Sequence, residues 1–106
     1  MVCWKLVRDR LGRELGSGSG DNVVVRRASG PELERLLRAK IVEEAAELAA
    51  SGSFEEAVDL FEALLSWLRI KGYGLEDLVR AAEEKRRSRG SFEEGYIVFW
   101  LDRDVC

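Results

Sequence analysis

The sequence predicts an all-α protein, an antiparallel helical bundle, and two observations carry that expectation. Three stretches repeat apolar residues at helical spacing, each bounded by residues that start and stop helices. The connection between the first two is only about Ser51–Ser53, so they must fold back as a hairpin. Against them stand two short β-branched or aromatic runs, Val23–Val25 and Tyr96–Leu101, material for a small two-stranded β element joining the N- and C-terminal segments.

The elements follow in chain order. Cys3–Val7 is apolar enough to be extended or to lead into a short helix around Arg8–Leu15. The Gly/Ser run from Gly16 to Gly20 has nothing to bury and reads as a flexible loop. From Ser29 to Glu32 the chain reads as a helix start: Ser at the cap, Pro31 in the first turn, Glu32 placed for a capping box. That helix should run to about Ala50. Ser53 and Glu56 open the next one, which should reach about Ile70 before Gly72 and Gly74 break it. A third long helix, about Leu75–Arg89, stops at Gly90.

At 106 residues the chain is expected to form a single domain over 1–106 with one modest core. Apolar residues at 46% and charged residues at 35% describe a globular chain. A net charge of −3 opposes a protein built to grip nucleic-acid phosphates. No apolar run approaches the ~20 residues that span a membrane. Charges near the N-terminus stand where a signal peptide is apolar, so a cytoplasmic location is expected.

The chain has no His, Thr or Gln, and its Arg- and Glu-rich, amide-poor composition is typical of proteins from very hot habitats. Such cytosols tolerate disulfides, so Cys3 and Cys106 are a candidate bridge. Without His there can be no Ser-His-Asp triad, no His-containing zinc site and no Glu-x-x-His di-iron site.

The informative step is a helical wheel at about 100° per residue. With Leu33 as origin, Leu36, Leu37, Ile41 and Leu48 form the core stripe of the first long helix. Lys40, Glu44 and Glu47 fall inside it, where amphipathic design expects apolar residues; Glu43 sits near its edge. In the second helix Glu56 shares a face with Leu60, Ala63 and Trp67, and Asp59 borders it. Glu55, Glu62 and Arg69 occupy the opposite face. Residues level with one another in a hairpin share one index sum, as Glu47 does with Glu56 and Glu44 with Asp59.

Four clustered carboxylates repel one another unless cations intervene. An all-oxygen set suits a hard divalent cation, Mg²⁺ first and Mn²⁺ second. The bland alternative is a solvated acidic surface, with Glu56 doing no more than closing a capping box.

These residues resemble a known signature. Lys40-Ile-Val-Glu-Glu-Ala-Ala-Glu47 followed by Glu56-Ala-Val-Asp59 resembles the Glu-x-x-Glu…Glu-x-x-Asp pattern of the all-α nucleoside triphosphate pyrophosphohydrolases, MazG-like proteins among them. Lys5-Leu-Val-Arg-Asp9, and the run from Glu84 to Phe92, fit the small MazG-like branch. The resemblance implies a MazG-like bundle completed by homodimerisation and Mg²⁺-dependent hydrolysis of a nucleotide to monophosphate and pyrophosphate. It implies Glu44, Glu47, Glu56 and Asp59 as metal ligands and Lys40 at substrate phosphate.

Lacking a phosphate-binding Gly-rich loop, the chain must hold phosphates through metal and basic side chains. Glu47 or Glu43 is the candidate acceptor for a water proton. Lys85, Arg86 and Arg89 are candidate phosphate clamps, with the helix dipole as their alternative use. Lys5 and Arg8 are candidates of the same kind. Trp67 is either core or a base-stacking surface. The rival functions are a phosphoribosyl-ATP pyrophosphohydrolase and a non-catalytic, metal-stabilised regulatory dimer.

Overall fold

A computed structural model of the chain describes residues 4–18 and 22–101. Among them are four helices and no strand: α1 (Asp9–Gly18), α2 (Gly30–Ser51), α3 (Phe54–Ile70) and α4 (Leu75–Arg89). They fall into two compact units, Met1–Gly74 and Leu75–Cys106. Among the described residues no helix is long and apolar enough to cross a membrane.

The all-helical expectation holds, and α2, α3 and α4 match the spans read from their caps and breakers. Pro31 sits in the first turn of α2, but Ser29 makes no side-chain cap. Glu32 is turned to Arg26 instead, through a two-pronged pair at 2.8 and 2.9 Å. A guanidinium fork on a carboxylate is stronger than a neutral capping bond, so the expected box gives way. Gly52 closes α2 in the left-handed region at φ 63°, its N–H donating to the Leu48 carbonyl at 2.8 Å. A glycine there takes the αL turn without a Cβ penalty and lets α3 begin two residues later.

α2 and α3 pack along their length as the arms of the hairpin. Leu37, Ala63 and Leu68 are buried between them, with Leu33, Leu36, Ile41, Leu48, Leu60 and Leu64 half-buried. Far from the loop, the Trp67 indole N–H donates to Glu34 at 2.8 Å and links the arms. Trp67 thus serves the hairpin.

Two expectations are corrected. The Gly/Ser run does not begin a loop at Gly16; α1 continues through Gly18. The Ser17 hydroxyl donates to the Glu14 carbonyl at 3.3 Å, and Val25 lies against Gly16, where an added Cβ would stand 3.6 Å from its side chain. Packing across a glycine backbone and a satisfied terminal carbonyl hold the last turn.

The β element is also absent among the described residues: neither Val23–Val25 nor Tyr96–Leu101 is in a ladder. Val25 is spent on α1. Tyr96–Leu101 stays exposed, from 51% at Trp100 to 94% at Leu101. β-Propensity expresses a fit to a half-covered pleated surface, and without a partner it makes no strand. Cys3 and Cys106 lie outside the described residues.

In the second unit α4 buries none of its residues. Glu76 and Asp77 stand in its first turn, Arg86, Arg87 and Arg89 in its last, each sign matched to the helix dipole. Gly90, at φ 81°, ends it, its N–H donating to the Arg86 carbonyl at 2.8 Å.

Candidate metal centre

The hairpin brings the acidic residues of two helices together. One carboxylate oxygen each from Glu44, Glu56 and Asp59 lies within 4.8 Å of the others, and Glu43, Glu44 and Glu47 form a second such trio. Either could hold a metal ion. Glu44 belongs to both and is 6% exposed, the one buried charged side chain among the described residues. Glu43, Glu56 and Asp59 are half-buried.

The register differs in one detail from the expectation. Glu44 is the residue of α2 that joins both Glu56 and Asp59, whereas Glu47 is exposed and clusters with its own helix neighbours. Glu47 stands one turn nearer the loop, where its side chain reaches water. On α3, Glu55 is exposed as expected, while Glu62 is half-buried and outside both trios.

The capping explanation for Glu56 does not account for its carboxylate. Ser53 caps α3 by accepting the Glu56 N–H at 3.3 Å. The reciprocal donor, the Ser53 N–H, goes to the Ser51 hydroxyl at 3.2 Å. Among the described residues, Glu56 Oε2 is left buried and without a partner, and so is Glu44 Oε2. A buried acceptor without a partner costs on the order of 1–3 kcal/mol, more when charged. Two such atoms in one acidic cluster fit the demand of a cation for oxygen ligands.

Three cations of the chain partly answer the charge. Lys40 Nζ stands 3.2 Å from both Glu43 and Glu44. Lys5 Nζ is 2.9 Å from Glu43, and Arg8 Nη2 is 2.7 Å from Asp59. Among the described residues, five carboxylates (Glu43, Glu44, Glu47, Glu56, Asp59) against three cations leave two negative charges, which one divalent cation would balance.

Lys5 and Arg8, expected at substrate phosphate, here lie on carboxylates. Hydrogen bonds from Lys5 and then Lys40 hold the Glu43 carboxyl below its ordinary range, and Glu43 in turn raises the Lys5 ammonium. Glu47 has no ion pair among the described residues.

Lys85, Arg86 and Arg89 lie on α4 in the second unit and are exposed. The carboxylate cluster is built entirely within the first. A cavity of about 280 Å³ also lies beside the cluster, and Trp4, Leu6, Leu36 and Ala39 line it. The sequence reading missed these four; the one available signal was an indole, Trp4, set next to Lys5 in the segment leading to α1.

No family model matches the chain, and no characterised protein or solved structure matches it.

Proposed function

We propose that this chain is a Mg²⁺-dependent pyrophosphohydrolase, acting as a homodimer, that cleaves the α–β phosphate bond of a nucleoside triphosphate or a close relative. The observation that carries this reading is the pair of buried oxygens on Glu44 and Glu56, without a partner among the described residues and set between α2 and α3. Its support in sequence is the Glu-x-x-Glu…Glu-x-x-Asp resemblance at those positions.

Glu44, Glu56 and Asp59 would hold one ion, and Glu47 would complete the set beside the shared Glu44. When bound, Mg²⁺ would supply Lewis-acid polarisation of phosphate oxygens and neutralisation of the charge that develops on them. Glu47, exposed and without an ion pair among the described residues, takes the proton of the attacking water. Water adds at the α-phosphorus, the bond to the bridging oxygen breaks, and pyrophosphate leaves with that electron pair. Lys40 steadies Glu43 and Glu44 until phosphate oxygens draw its ammonium. Arg8 and Lys5 transfer from carboxylate to phosphate in the same way.

Dimerisation rests on α3. Phe54, Val58, Phe61 and Leu65 fall within about 60° of one another on its wheel, opposite the carboxylates. Phe54, Val58 and Phe61 are 81%, 44% and 45% exposed. A second copy across this stripe is the simplest cover.

The reading is tested by a screen of triphosphates with Mg²⁺, identifying the products. Monophosphate plus pyrophosphate is expected; orthophosphate overturns it.

A further inference from the structure

The cavity beside the carboxylates has a lining that metal binding does not require. Residues 4–6 and one face of α2 line it as an open groove, Trp4, Leu6, Leu36 and Ala39 forming an apolar wall. Lys5, Lys40 and Glu43 form its charged rim. Glu43 is also a member of the acidic trio with Glu44 and Glu47, so the cavity adjoins the candidate metal centre. Trp4 is 70% exposed, leaving ring surface free for a planar ligand. An apolar wall with a few charged groups at one side is the usual make-up of a small-molecule site. At about 280 Å³ the space stands near the low end of such sites, right for one heterocycle and its sugar.

We propose that this cavity is the nucleobase subsite, with the base stacked on the Trp4 indole and the phosphates leading past Lys5 and Lys40 to the carboxylates. The proposal rests on the pyrophosphohydrolase reading and adds the residues that meet the base. It assigns that role to Trp4 over Trp67, which is half-buried in the hairpin. Stacking on an aromatic face is tolerant of base identity, so Trp4 contributes affinity to every base. Discrimination among bases falls to the shape set by Leu6, Leu36 and Ala39.

The test is calorimetric binding of two probes to the full chain with Mg²⁺: an α,β-methylene nucleoside triphosphate, which cannot be cleaved at that bond, and inorganic tripolyphosphate. Wild type should prefer the nucleotide analogue. Trp4→Ala should weaken the analogue tenfold or more and leave tripolyphosphate within twofold, while Trp4→Phe keeps most of the affinity. An unchanged analogue affinity in Trp4→Ala overturns the subsite. So does equal weakening of both probes, which marks Trp4 as a support of the fold. If wild type binds neither probe and releases no pyrophosphate, the pyrophosphohydrolase reading fails and the subsite fails with it. Pyrophosphate release with no Trp4 effect sinks the subsite alone.

Discussion

The Arg8 guanidinium donates to the Asp59 carboxylate at 2.7 Å, closing a separation of 51 residues and tying the N-terminal segment to α3. An oxygen proposed as a metal ligand is thus already held by a cation of the chain. Arg8→Gln should remove that competitor and tighten Mg²⁺ binding several-fold in nucleotide-free protein, while weakening phosphate-bearing ligands. Calorimetric titration with Mg²⁺ alone measures the first effect; a weaker Mg²⁺ affinity would count against the competition.

Glu56 offers a stability test, because none of the three cluster cations pairs with it. Glu56→Gln removes a charge whose Oε2 is buried and unpartnered, at almost constant shape. Metal-free protein should melt higher, by roughly 4–8 °C for each ~1 kcal/mol relieved. Mg²⁺ should raise the wild-type Tm and do little for the variant, since a ligand stabilises only the state that binds it. A variant that melts lower and still responds to Mg²⁺ removes Glu56 from the centre.

Much of this architecture was readable because its signals are local. Ser53, Gly52 and Gly90 mark helix ends by their own chemistry, and the burial of Glu44 follows from helical periodicity. What was hidden depends on contacts distant in sequence. Nothing local shows that Lys5 and Arg8 reach Glu43 and Asp59. Val23–Val25 misled because β-branched residues serve equally well as packing against a glycine face. The Trp4 cavity needs both the segment before α1 and α2 in place, and no spacing rule links them.

Glu34 gives the hairpin a pH dependence. Its hydrogen bond from Trp67, and then that from Arg38, hold its carboxyl below the ordinary value of 4.5. A depressed carboxyl contributes stability that is whole above about pH 4.5 and is lost as pH falls through the lowered value. Wild type should therefore melt above Glu34→Gln near neutral pH, with the gap closing as pH falls below 4.5 through the lowered value. Equal Tm values for the two proteins at neutral pH would contradict the link.

Phe61, 45% exposed in the middle of the α3 stripe, tests assembly. Light scattering at micromolar concentration should find a dimer in wild type and a monomer, or a loss of Tm, in Phe61→Asp. A monomeric wild type would contradict the assembly outright.

The central claim is that the hairpin carboxylates form a metal centre for pyrophosphate release. The most direct measurement compares the Mg²⁺-dependent rate of pyrophosphate release in wild type, Glu44→Gln, Asp59→Asn and Glu55→Gln. Glu44 belongs to both trios and Asp59 to one, whereas Glu55, on the same helix as Asp59, is exposed and in neither. The first two variants should lose a hundredfold or more, about 2.7 kcal/mol in the barrier, and Glu55→Gln should stay within a few-fold of wild type. A loss of equal size in all three variants would mean a generally acidic surface rather than a centre, and would contradict the account.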